Sequence, residues 1–416
     1  MRVYLLVMLV AAVVTFLTTP FARWVALRTG AITAVRARDV HSVPTPRLGG
    51  LAMLLGLVVG IVFASQMPFL RGVFVRDVAG ELVADPRTWG IVGAAAVVCL
   101  LGMADDIWDL DWMTKLAGQV LAAGLMATQG VVLFTLPVGG TLIWSSRLQL
   151  VATILVVVVA MNAVNFVDGL DGLAAGLVAI GGTAFFVYTY VLTRQAGGDD
   201  YASLATLVMA CLVGICVGFL PHNFHPARIF MGDSGSMVLG LVMSAAAIVV
   251  TGSISPRDLS GAQQLPAVIP ILLPLAVILL PLLDMGMAVV RRVLAGRSPF
   301  HPDRMHLHHR MLAIGHSHRR AVLILYVWTA VFAFGAVALV AWSWRAVAVG
   351  LLVAVVIALL LTLGPLRTRG RFLDDQEPVS SSATGTRGLA SPPAPTSPPS
   401  SRSTTSSAPT VPSKEA

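Results

Sequence analysis

Charge is scarce in this chain. Of 416 residues, 12% are Asp, Glu, Lys or Arg, and 56% are hydrophobic. A soluble domain carries about 25% charged residues. No protein core absorbs that deficit, so a water-surrounded globule is excluded and the bilayer must solvate most of the chain. Cysteine is nearly missing too. Cys99, Cys211 and Cys216 all sit in apolar runs, which excludes a disulfide framework and leaves three small hydrophobic side chains. Lysine occurs twice, at Lys115 and Lys414. The net charge of +8 therefore comes mostly from arginine, a balance suited to anionic headgroups or anionic substrates. Acidic residues number 20, so the places where they gather are informative. There is no G-x-x-x-x-G-K-[ST] loop and no kinase motif set, so any nucleotide is held some other way.

What the chain has in quantity is long apolar runs. Stretches of the roughly 17–25 residues that a bilayer needs fall near 3–24, 48–67, 89–104, 115–133, 148–164, 173–193, 203–221, 237–252, 265–287, 321–343 and 346–365. In lipid every backbone polar group must be satisfied within the segment, so these runs are expected to be helices. The expected fold class is all-α: a polytopic integral membrane protein with about eleven transmembrane helices, about ten as the alternative. The first run ends in Arg23 and Trp24, an interfacial anchor rather than a signal-peptide cleavage site. Residues 1–365 form the multi-spanning membrane domain. Residues 366–416 turn to Pro, Ser and Thr, a composition that buries nothing and is expected to be a disordered cytoplasmic tail.

Helices alternate sides, so the polar loops fall into two sets. One set, near 25–47, 105–115, 164–172, 222–236 and 288–320 and after 365, carries about twice as many arginines and lysines as the other. That set is expected to be cytoplasmic, with the amino terminus outside. Every dense polar cluster falls in it. The first is GMADDIWDLDWMTK, with Asp105, Asp106, Asp109, Asp111 and Lys115. The second is NAVNFVDGLDGLAAG, with Asn162, Asn165, Asp168 and Asp171. The third is PHNFHPARIFMGDSGS, with His222, Asn223, His225, Arg228 and Asp233. The fourth is HPDRMHLHHRML, with Arg304, His306, His308, His309 and Arg310.

Each cluster also has a plain reading. An Asp pair outside a helix commonly makes a solvated turn, and Asp168 or Asp171 can simply cap the next helix. Taken together the clusters say more. Carboxylates at membrane depth are costly and usually functional. Several of them on one face suit a divalent cation, and oxygen ligands without thiolates favour Mg²⁺, with Mn²⁺ second. The histidines are poorly spaced for zinc. Lys115, Arg228, Arg304, Arg310 and the histidines suit phosphate oxygens. A metal beside fixed cations fits phosphoryl transfer, where positioning and charge neutralisation do most of the work.

The set ADD, NAVNFVDGLDGLA, NFHPARIFMGDSGS and DRMHLHHRML, in that order over residues 1–365, resembles the polyprenyl-phosphate N-acetylhexosamine-1-phosphate transferase family, glycosyltransferase family 4. The resemblance implies an Mg²⁺-dependent membrane enzyme of cell-envelope polysaccharide synthesis. In that family a polyprenyl phosphate attacks the β-phosphate of a UDP-amino sugar and UMP leaves. It implies that Asp233 ligates the metal. Asp105 and Asp106 would stand near the lipid phosphate and the metal, one of them deprotonating that phosphate or ligating the metal. Lys115 matches the lysine that follows the pair. Asn165, Asp168 and Asp171 would border nucleotide and metal. Asn223 and Phe230 would lie close to the uridine, with Phe230 a stacking platform. Arg304, His306, His308 and His309 would hold diphosphate and sugar.

The branch follows from the same residues. The murein-precursor branch has consecutive histidines followed by an acidic residue. This chain reads His306, Leu307, His308, His309, Arg310, and its TPRLGG stretch also departs from that branch. The resemblance therefore leans to UDP-N-acetylglucosamine as donor and to undecaprenyl or decaprenyl phosphate as acceptor. The murein enzyme, phospho-N-acetylmuramoyl-pentapeptide transferase, is the alternative. The expected setting is a bacterial plasma membrane, multi-pass, with the active site cytoplasmic, no nucleic-acid partner, and a homodimer allowed for. A transporter or flippase is the rival from another class. It would put charges near the bilayer midplane, whereas these charges sit at segment ends.

Overall fold

The computed structural model describes residues 1–33, 44–78, 81–133, 145–196, 202–253, 293–294, 296 and 316–374. Its long helices are α1 (Arg2–Thr29), α2 (Gly49–Ser65), α4 (Pro86–Trp108), α5 (Trp112–Thr128), α6 (Ser146–Val167), α7 (Leu173–Ala196), α8 (Ala202–Asn223), α9 (Gly232–Ser253), α10 (His318–Ala341) and α11 (Trp344–Asp374). Ten of the eleven apolar runs coincide with these helices. The run near 265–287 lies outside the described residues. Among the described residues eight helices are long and apolar enough to cross a membrane, or nine if one bent pair is a single span. Helix α5, with 17 residues, is about 25 Å long at 1.5 Å per residue.

The run near 48–67 is the helix Gly49–Ser65, and beyond its end the chain turns by 98° into Pro68–Phe74. Pro68 opens a 3-10 turn, Pro68–Leu70, because its ring nitrogen has no hydrogen to continue the helix. A four-residue helix, α3 (Arg71–Phe74), follows. It leads into an antiparallel hairpin of strands β3 (Val75–Val78) and β4 (Glu81–Ala84), with Val75 opposite Ala84. A second strand pair, β1 (Ile32–Thr33) with β2 (Thr45–Pro46), sets Ile32 opposite Pro46.

The bundle is built around α9, whose apolar stretch is almost wholly buried. Helices α4 and α6 pack against it, α1 packs on α2 and α8, and α7 packs on α8 and α10. Buried positions are rich in small side chains, among them Ala94, Ala95, Ala123, Ala245 and Ala246. Small residues let helix backbones approach closely, and in lipid that close packing supplies much of the association energy. Capping is local and legible. Asp85 accepts a hydrogen bond from the Arg87 amide at 3.0 Å at the start of α4, and Pro86 takes the first helical position. Asp111 does the same for α5.

Candidate active site

Three of the four polar clusters meet where the carboxyl ends of α4 and α6 and the amino end of α9 come together. The fourth, with Arg304, His306, His308 and His309, lies outside the described residues. The junction depends on close backbone approach. A Cβ on Gly102 of α4 would lie 2.3 Å from the Ser234 nitrogen, and one on Gly232 would lie 2.2 Å from Asp106 Oδ2. Gly232 also has φ +69°, a backbone conformation that only glycine adopts without strain.

Asp105 and Asp106 diverge, as neighbours on a helix do. Asp106 faces the start of α9, accepting from the Asp233 amide at 3.1 Å, the Ser234 amide at 3.3 Å and the Ser234 hydroxyl at 3.1 Å. A carboxylate there satisfies orphan amides and complements the positive end of the helix dipole. Asp105 is buried and faces Lys115. The ammonium lies 2.6 Å from Asp105 Oδ2 and 3.2 Å from Asp233 Oδ2. The other two aspartates of that cluster are structural. Asp109 takes a left-handed conformation, φ 52°, that ends α4. Asp111 caps α5 from full exposure, and hydrogen bonds from Thr114 and Met113 hold its carboxyl below the usual carboxylate range.

Asp233 sits in the first turn of α9. Asn165 Nδ2 donates to Asp233 Oδ1 at 2.8 Å and reaches the Ser236 hydroxyl at 3.0 Å. Asp168 ends α6 and Asp171 follows in the turn before α7. Both line a cavity of about 280 Å³, together with Arg47, Asn165, Phe230 and Asp233. Burial pushes the Asp168 carboxyl up to about 7, helped by the charges of Asp233 and Asp106 and opposed by Arg47. Asp171 is buried and accepts from His225 Nδ1 at 2.7 Å and the Ala227 amide at 3.1 Å. Asn223, also buried, stands behind this wall. It accepts from the Gly172 amide at 3.1 Å and donates to the Ile229 carbonyl at 3.0 Å, tying the two loops together. Tyr326 of α10 donates to the Gly172 carbonyl from the other side.

Two lining residues, Thr33 and Arg47, were not among the sequence candidates. Thr33 ends β1 and Arg47 follows β2, a pairing that no local sequence signal announces. The backbone carries them further into the site: the Phe230 amide donates to the Pro46 carbonyl at 2.8 Å, and the Gly49 amide donates to the Phe230 carbonyl at 3.0 Å.

Among the described residues the cavity wall holds three carboxylates, Asp168, Asp171 and Asp233, against one guanidinium, that of Arg47. All the anionic donors are oxygens, the ligand type a hard divalent cation prefers. The residues present fit such an ion, and Asp233 and Asp168, with the Asn165 amide oxygen, would hold it.

Helix-terminal carboxylates around one cavity in a bundle of apolar helices define a multi-pass membrane protein with a polar site at its helix ends. The chain belongs to glycosyl transferase family 4, whose profile matches residues 88–251. It is 45% identical over 375 residues to the decaprenyl-phosphate N-acetylglucosaminephosphotransferase of Mycolicibacterium smegmatis, covering 89% of this chain and 90% of that protein. It is 30% identical over 336 residues to a probable undecaprenyl-phosphate N-acetylglucosaminyl 1-phosphate transferase of Bacillus subtilis, covering 79% and 84%. The phospho-N-acetylmuramoyl-pentapeptide-transferase of Desulforudis audaxviator is 30% identical over 313 residues, covering 70% and 83%. The chain is therefore a transferase of this family, and the branch that its histidine motif favours is also the branch of its 45% identical relative.

Proposed function

We propose that this protein transfers N-acetylglucosamine 1-phosphate from UDP-N-acetylglucosamine to a polyprenyl phosphate at the cytoplasmic face of a bacterial plasma membrane, with Mg²⁺. An oxygen of the lipid phosphate forms a bond to the β-phosphorus of the nucleotide sugar. The bond from that phosphorus to the bridging oxygen breaks, and UMP leaves with the electron pair. The products are UMP and polyprenyl-diphosphate-N-acetylglucosamine. One observation carries this reading. Asp105, Lys115, Asn165, Asp168 and Asp233, drawn from four helices and the turn that ends α6, converge at one set of helix ends.

Each group then has a task. Bound Mg²⁺ would neutralise phosphate charge in the transition state and withdraw electrons from phosphorus. Asp233 and Asp168 supply carboxylate oxygens for it, and Asn165 holds Asp233 in place. Lys115, anchored by Asp105, offers an ammonium to the lipid phosphate arriving from the bilayer. Phe230 offers a face for the uracil ring. The transporter reading lacks support, because the charged groups gather at helix ends.

The test is the identity of the released nucleotide. The purified chain in detergent, given decaprenyl or undecaprenyl phosphate, Mg²⁺ and UDP-N-acetylglucosamine, is expected to release UMP and a lipid diphosphate sugar. Release of UDP would mean transfer of the sugar alone and would overturn the reading. Turnover only with the UDP-N-acetylmuramoyl-pentapeptide donor would move the chain to the murein branch.

A further inference from the structure

We infer that Arg47 is a donor-binding residue that grips the diphosphate of the nucleotide sugar. The inference rests on the nucleotide-sugar reading above. Among the described residues, Arg47 is the one cation on the wall of the cavity that Asp168, Asp171, Phe230 and Asp233 share. Lys115 is not on that wall. It is held at the far side of Asp233 by Asp105. The two cations therefore serve two different phosphates, Lys115 that of the lipid and Arg47 those of the nucleotide.

The way Arg47 is held supports the assignment. Its amide donates to the Ala31 carbonyl at 2.9 Å. Its Nε donates to the Thr33 hydroxyl at 2.5 Å, and Thr33 is itself buried. The anchor thus uses the one guanidinium nitrogen outside the terminal fork. The two Nη groups are the pair whose spacing matches two phosphate oxygens. Among the described residues no carboxylate forms an ion pair with Arg47. Its charge nonetheless reaches into the cavity, where it opposes the upward push on Asp168.

Backbone pairing then fixes a distance. Pro46 and Gly49, on either side of Arg47, both bond the main chain of Phe230. An aromatic face and a guanidinium are thereby mounted on one stiff piece of backbone. That is the arrangement a nucleotide needs, with the base on the ring and the phosphates on the cation. A looser arrangement would lose affinity to the ordering of both side chains.

The experiment uses the full chain in detergent with Mg²⁺ and measures binding of uridine, UMP and UDP by calorimetry. In R47Q the affinity for UDP is expected to fall about 10- to 100-fold while uridine stays within about twofold. R47K is expected to recover part of the loss, since a single ammonium cannot reproduce the fork. Thr33→Val, which frees Nε, is expected to fall between wild type and R47Q. Equal losses for uridine and UDP would show that Arg47 merely props Phe230 and would overturn the inference. An unchanged UDP affinity in R47Q would overturn it as well. Wild-type protein that binds no UDP would remove the nucleotide reading and this inference together. Wild-type binding without an R47Q effect would remove Arg47 alone.

Discussion

Replacing Gly102 by alanine adds one methyl group, and the structure says what it meets. The new Cβ would lie 2.3 Å from the Ser234 nitrogen, 2.4 Å from its Cα and 2.6 Å from the Asp233 carbonyl carbon. All three are backbone atoms of the first turn of α9, so no side chain can swing aside. Ordinary contact begins near 3.4 Å, and a close-packed interior does not compress, so the two helix ends must part by about 1 Å. That shift opens the Asp106 bonds to Asp233 and Ser234, now 3.1–3.3 Å, and the 3.2 Å contact of Lys115 with Asp233. Overpacking of this kind costs about 1–3 kcal/mol of stability. Misplacing a catalytic group by about 1 Å costs on the order of 100-fold in rate. The assay is UMP release by detergent-purified, monodisperse protein, alongside thermal unfolding. Gly93→Ala on the same helix is the control, because a Cβ there meets nothing within 4 Å, and it is expected to keep full activity. A Gly102→Ala protein with wild-type kcat and wild-type Tm would refute the account of how these helix ends are held.

Other expectations follow from the same geometry. Asp233→Asn is expected to lower kcat on the order of 10²- to 10³-fold and to abolish the rise in Tm on adding Mg²⁺; a surviving Mg²⁺ shift would remove Asp233 from the metal site. Asp168 titrates near 7 instead of the usual 3.8. The folded chain therefore keeps a proton that the unfolded chain loses between about pH 4 and pH 7, and this contribution to stability is present at low pH and disappears as pH rises through about 7. In the proposed metal role of Asp168, Mg²⁺ would compete with that proton, so its apparent affinity, read from Tm titrations, is expected to rise between about pH 6 and pH 8. Asp168→Asn should flatten that rise, and a flat wild-type profile would contradict the assignment. Asn223→Ala severs the bonds to Gly172 and Ile229. It is expected to cost about 2–4 kcal/mol and to raise the KM for the nucleotide sugar; an unchanged Tm would show that this tie is dispensable.

Composition and hydrophobic run length made the bundle legible, because lipid forces apolar segments to be helical. The run near 173–193 became Leu173–Ala196, and that near 203–221 became Ala202–Asn223. The clusters were legible as well, because carboxylates are so few. Their division of labour was not. Within ADDIWDLD the turn and the cap went to Asp109 and Asp111, whereas Asp105 and Asp106 face inward to partners far along the chain. Asp106 bonds an amide 127 residues away, and no spacing rule reports that. Arg47 read as one loop arginine among many until strand pairing brought it to Phe230. The 98° bend that follows Ser65 lies at the end of the 48–67 run, where Pro68 has no amide hydrogen to carry the hydrogen-bond ladder on.

The first helix makes its closest partnership with the eighth. Arg23 Nε donates to the Arg228 carbonyl at 3.2 Å across 205 residues, and His222 Nε2 lies 3.1 Å from the Phe16 carbonyl. A ribosome adding about 5–20 residues per second needs roughly 10–40 s to make that intervening chain. For that interval α1 and α2 must wait in the membrane without the neighbour that completes their packing. The side of the pocket that joins Pro46 to Phe230 cannot exist before then. Biogenesis of this enzyme is therefore a matter of timing, with its earliest-made helices exposed to the longest risk of wrong partners and quality control.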